Sequence, residues 1–195
     1  MRDLEIRGAG NLLGPQQHGY IAGVGFAAYC DMLEQTVKRL QNGQAAGERE
    51  PDPILEIPLN AYIPDSYILN PRYKLELYRR FVDLTWGGEE DLMDEIIDRF
   101  GTPPEEVELL WRLAKIRALC RKLKIRRVNV RGGMIRLTFA PHSEVNGEVL
   151  VKLVGENSKY MKLIPGKETA LLFRTGNLEI EPLDWLEKTL PKMLK

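Results

Sequence analysis

The sequence predicts an α+β fold: a helical N-terminal half, then a small, mainly antiparallel sheet and a closing helix. Three observations carry this. Apolar residues recur at spacings of three and four through about residue 124, they alternate in twos beyond residue 128, and helix-boundary residues stand between the segments. The 195 residues are 44% hydrophobic and 29% charged, enough to bury a core and too ordinary for collagenous, disordered or disulfide-scaffold classes.

Residues 8–25 hold six glycines and no regular period, which suits tight turns and close backbone approach. A helix follows, with Phe26, Tyr29, Leu33, Val37 and Leu40 on one face and Asn42-Gly43 to close it. The polar, small, proline-flanked stretch after it is the best linker in the chain. It divides residues 1–46 from 54–195, with 47–53 as the connection. Ile54, Leu55, Ile57 and Leu59 suggest a short strand, and Ile63-Pro64-Asp65-Ser66 a loop. Asn70-Pro71 supplies an N-cap and a first-turn proline for a helix to about residue 84. Gly87-Gly88 breaks the chain before a second helix over 89–100, which Gly101 ends. Thr102-Pro103-Pro104-Glu105 reads as a capping box for a third helix to about residue 124. Val128 and Val130 lead through Gly132-Gly133 to Ile135, Leu137 and Phe139, a hairpin pattern. Strands are expected at 148–154, 160–164 and 169–173, and a helix over 183–194.

The formal net charge is zero, but the zero is a cancellation. Residues 48–110 hold 16 acidic and 6 basic side chains, whereas residues 111–136 hold 10 basic and none acidic. The second predicted helix concentrates the acid. At 100° per residue Leu92, Met93, Ile96, Ile97 and Phe100 form one apolar stripe, and Asp91, Asp94, Glu95 and Asp98 lie opposite. Four like charges on neighbouring turns repel one another unless cations oppose them. The basic segment admits a phosphate-tracking reading, since such contacts give sequence-independent affinity. Its side chains are dispersed around the helix, however, and Trp111 is its sole aromatic, so no stacking platform accompanies them.

Catalytic patterns are absent from the sequence. The third glycine of a dinucleotide loop starting at Gly8 would fall on Leu13, and there is neither a GxxxxGK loop nor a Gly-x-Ser-x-Gly elbow. His18 and His142 have no zinc spacing, and Cys30 and Cys120 read as reduced core thiols of a cytoplasmic protein. No apolar run approaches the ~20 residues of a membrane span.

Residues 2–19, RDLEIRGAGNLLGPQQHG, closely resemble the translocation motif shared by RecG-type branch-migration helicases and bacterial transcription-repair coupling factors (Mfd). The resemblance to the coupling factors continues through Gly25-Phe26, Ile63-Pro64-Asp65 with Ile68, and Asn70 with Arg72. Tyr78-Arg79-Arg80 and Asp98-Arg99-Phe100-Gly101 follow in the same order. It implies the C-terminal end of an ATP-dependent DNA translocase that couples stalled transcription to nucleotide excision repair. The ATPase lobes, with ATP and Mg, would lie upstream, and this chain would have no catalytic site or cofactor of its own. Arg7 and Gln17 match motif residues important for translocation along duplex DNA. The resemblance further implies an autoinhibitory C-terminal domain that docks on the protein's own N-terminal module and masks its UvrA-binding surface. Glu95 and Asp98 match the acidic contacts of that docking, and Asp91 and Asp94 extend them. RNA polymerase, UvrA and duplex DNA would be partners of the whole protein, with no membrane. The alternative is a sequence-independent DNA-binding accessory domain built on the basic block at 112–136.

Overall fold

The computed structural model describes residues 52–194 apart from 144, 167 and 177–179. Arg7, Gln17, His18, Cys30 and the helix expected after residue 24 lie outside the described residues. So does most of the 47–53 linker, whose last two positions, Asp52 and Pro53, pack against the domain.

Among the described residues, five helices and five strands follow in order: β1 (Ile54–Glu56), α1 (Pro71–Asp83), α2 (Glu89–Phe100), α3 (Glu105–Leu123), β2 (Ile125–Arg131), β3 (Met134–Phe139), α4 (Gly147–Glu156), β4 (Met161–Ile164), β5 (Ala170–Arg174) and α5 (Pro182–Thr189). A 3₁₀ turn at Pro191–Met193 closes the described chain. The sheet order is β1-β2-β3-β5-β4. Pairings are antiparallel except β1 with β2, which run parallel because three helices carry the chain across. Gly132 and Gly133 turn the β2–β3 hairpin at φ 57° and 69°, left-handed values that a side chain would resist.

One core joins helices to sheet. Leu77, Phe81, Ile96, Leu110, Ile116 and Leu119 meet Val128, Ile135, Leu137 and Phe173, all 4% exposed or less. Phe173 stacks on Trp185 of α5 with ring centroids 4.4 Å apart. Cys120 is fully buried, and that burial pushes its thiol up to about 12, which leaves it inert at neutral pH.

Helix ends follow local chemistry. Asn70 accepts the Arg72 N–H at 2.9 Å, ahead of Pro71. Gly101, at φ 82°, ends α2 by donating to the Ile97 carbonyl. Two expectations need correction here. Pro104, rather than Thr102, occupies the N-cap of α3 and no side chain caps it, so the capping box does not form. Residues 148–154, expected as a strand, lie within α4. Asn146 caps that helix by accepting from the Glu148 and Val149 N–H groups. Leu150, Leu153 and Val154 then recur at helical spacing against the core, which overrides the strand preference of the valines. In addition, β2 starts at Ile125, three residues before the alternation becomes visible, with a register irregularity between Ile125 and Arg127.

Candidate functional site: the acidic face of α2

The separate motifs of the N-terminal half converge in space. The loop at residues 63–68 is pinned to α1 by the Ile63 N–H, which donates to the Tyr78 hydroxyl at 2.9 Å. Lys74, 3% exposed, donates to the Ile63 carbonyl at 2.9 Å and to the Asp65 carboxylate. A lysine this deeply buried needs such partners. The same loop reaches the end of α2, where Tyr67 donates from its hydroxyl to the Gly101 carbonyl at 2.8 Å. The Phe100 ring lies 6.2 Å from Tyr67 and 6.3 Å from Tyr73, and the Arg99 guanidinium stands over both Tyr73 and Phe100. These motif residues therefore act as a frame that sets the angle of α2.

On that frame α2 buries Leu92, Met93 and Ile96. Ile97, assigned to the same stripe from sequence, is 43% exposed. It lies at the stripe's edge on the helical wheel, so the buried arc is narrower than the apolar one. Asp91, Asp94 and Asp98 are exposed, and none of them has a hydrogen bond or ion pair among the described residues.

Glu95 differs. Both its oxygens accept from Arg80 of α1, at 2.5 and 2.6 Å, and Arg99 one turn along adds a contact at 3.1 Å. The Arg80 hydrogen bonds, followed by those of Arg99, hold its carboxyl down at about 2. The structure thus brings Asp91, Asp94 and Asp98 together as an open acidic face and places Glu95 on its margin, already engaged. Arg99 as a neighbour was readable from the four-residue spacing. Arg80, fifteen residues away on another helix, left no local signal.

The basic segment has a different fate. Arg112 bonds Asp184 and Glu187 of α5, and Lys115 reaches Glu187 at 3.0 Å while lying 3.8 Å from the Trp111 ring centroid. Arg117 and Arg121 share Asp52, at 2.9 and 2.6 Å, and Arg121 also donates to the Val82 and Leu84 carbonyls. Arg126 pairs with Glu168 and Arg127 with Glu56. Burial raises the Asp52 and Glu187 carboxyls, but hydrogen bonds from Arg121 and from Arg112, respectively, help the neighbouring cations outweigh it, and both end below the usual range. At least six of the ten cations therefore have acidic partners among the described residues. Among the described residues no cluster of His, Cys, Asp or Glu could hold a metal, and no helix is long and apolar enough to cross a membrane.

The family model of the TRCF domain matches residues 57–150. The transcription-repair-coupling factor of Bacillus subtilis (strain 168) is 34% identical over 194 residues, covering 97% of this chain and 16% of the relative. That of Staphylococcus aureus (strain USA300) is 33% identical over 199 residues, covering 100% of this chain and 17% of the relative. The chain thus spans about a sixth of the length of these curated relatives. A crystal structure of the C-terminal domain of transcription-repair coupling factor shares the fold, with a TM-score of 0.63 and 24% identity over 75% of this chain and 93% of that one. By sequence order, by the TRCF domain that holds α1, α2 and α3, and by its α+β fold, this chain belongs to the transcription-repair coupling factor family.

Proposed function

We propose that this chain is the regulatory, protein-interaction end of an ATP-dependent DNA translocase that links stalled RNA polymerase to excision repair. In this reading it docks through the acidic face of α2 on a basic surface of the protein's own N-terminal module and covers the site where that module binds UvrA. The observation that supports it is the solvent-facing set Asp91, Asp94 and Asp98, which keeps three like charges on adjacent turns with no ion pair among the described residues. That arrangement weakens the helix slightly by itself and suits a cationic partner. Glu95 takes part only by sharing its carboxylate with Arg80 or by exchanging partners.

The alternative, DNA binding through the whole 112–136 block, is less well supported, because most of those cations are committed to carboxylates inside the domain. The decisive experiment is reversal of Asp94 and Asp98 to lysine in the full-length protein, followed by UvrA binding. Binding should rise several-fold while the domain's melting temperature holds. Unchanged UvrA binding would refute the docking role of this face. Reversal at Glu95 is a poorer test, since it also breaks the pair with Arg80.

A further inference from the structure

Among the described residues the sheet presents one face to the helices; the other is exposed toward the hairpin end, while Thr138 and Ala170 at its opposite end are buried. Along every strand the residues that alternate with the core positions fall on this second face, and the strand register aligns them in rows. Glu56, Asn129, Arg136, Leu172 and Lys162 form one row across all five strands. The row at the hairpin end comprises Arg131, Met134 and Arg174. Among the described residues no helix packs here: the core that binds helices to sheet uses Val128, Ile135, Leu137, Met161, Leu171 and Phe173, the opposite set.

Four cations on this face, Arg131, Arg136, Lys162 and Arg174, are exposed and have no ion pair among the described residues. With ~3.3 Å per residue along a strand and ~4.8 Å between strands, their Cα atoms, on four adjacent strands and two rows, outline a patch of roughly 7 by 14 Å. Among the described residues, the acids flanking the cations on this face include Glu56, which bonds Asn129 at 2.6 Å and pairs with Arg127, and Glu168, which pairs with Arg126 at the rim. Both lie toward the β1 side of the face and are occupied. Of the four, Arg136 also borders a concavity of about 500 Å³ whose lining mixes Arg126 and Arg127 with the carboxylates of Asp52, Glu56 and Glu168, each of them paired with an arginine. Only Arg131 and Arg136 come from the basic segment. Lys162 and Arg174 come from regions whose charges balance in the sequence, so the patch exists only in the fold.

We infer that this open face binds the phosphate backbone of duplex nucleic acid, independently of any docking by α2. Arginine forks match phosphate oxygens bidentately, and a flat patch of this size meets several phosphates at once, with one charge per ~1.7 Å of duplex axis. The outward strand positions carry no aromatic ring, which argues against base stacking on a single strand and against the aromatic anchors of a protein interface.

The test uses this chain and a 30-base-pair duplex of arbitrary sequence, followed by fluorescence anisotropy across salt concentrations. Binding at low salt should weaken with a log–log slope of about −3 to −4, as for about four phosphate contacts. Combined R131Q, R136Q, K162Q and R174Q should weaken it at least tenfold. Replacing the three arginines by lysine instead should retain most of it, and K122Q with K152Q, away from the patch, should change it less than twofold. Circular dichroism melts report whether each variant is folded. No binding at low salt, or equal binding by the folded glutamine variant, would overturn the inference. Competition by poly-glutamate as effective as by unlabelled duplex would also overturn it, in favour of an acidic protein partner.

Discussion

Helix α2 and the segment from residue 111 to 136 carry opposite charge, and the fold treats them oppositely. Six cations of α3 and β2 are drawn into the domain by carboxylates from distant parts of the chain: Asp52 before β1, Glu56 on β1, Glu168 before β5, and Asp184 and Glu187 on α5. Among the described residues, Asp91, Asp94 and Asp98 of α2 have no ion pair, and Arg80 and Arg99 both serve Glu95. Most of one charged region is therefore structural cement, and the aspartates of the other form an open surface. Charge density alone does not distinguish them. What distinguishes them is whether the tertiary fold brings a counter-charge alongside.

The comparison fails if the basic segment is dispensable for stability or if the open acids are needed for it. The largest expected effect is at Asp52. Its removal as Asp52→Ala takes away the carboxylate shared by buried Arg117 and half-buried Arg121. The loss should be about 2 kcal/mol, between the ~1 kcal/mol of an exposed pair and the 3–5 kcal/mol of a fully buried one. Urea denaturation measures it, and a loss under a few tenths would mean the pairs contribute nothing. Next comes Glu187→Gln, which keeps the shape but weakens the link from Arg112 and Lys115 to α5. About 1 kcal/mol should be lost, read from the shift of the thermal midpoint.

On α2 the sign should reverse. Asp94→Asn with Asp98→Asn relieves like-charge repulsion and removes an acid from the last turn, where the helix dipole disfavours it. Stability should hold or rise by up to about 0.5 kcal/mol, although docking should weaken. A clear destabilisation would show that these acids have structural partners after all.

The smallest effect is the pH dependence of Glu95. Its folded-state pKa lies at about 2, below the ordinary value of 4.5, so its contribution is complete above pH 4.5 and disappears as pH falls toward 2. The stability difference between wild type and Glu95→Gln should accordingly narrow across that window. In Arg80→Gln the Glu95 carboxyl should titrate closer to its ordinary value by NMR, because Arg99 alone then holds it.

Much of the helical half was legible because its signals are local. Asn70 before Pro71, Gly101 after Phe100 and the three- and four-residue spacing of Leu92, Met93 and Ile96 each act within one or two turns. Around residue 150 local signals conflicted, with valines favouring a strand and Asn146 a helix start. Packing of Leu150, Leu153 and Val154 resolved them.

By itself the sequence determined the fold class, the α1 and α2 boundaries, the acidic helix and the family, because these depend on periodicity, capping chemistry and motif order along the chain. Only the tertiary structure decided which charges are spent and which are free. Arg80 was brought to Glu95, Asp52 to Arg117 and Arg121, and Lys162 and Arg174 into register with Arg131 and Arg136. Coulomb attraction depends on distance in space, and residues fifteen to sixty-nine positions apart acquire that distance only when the core closes.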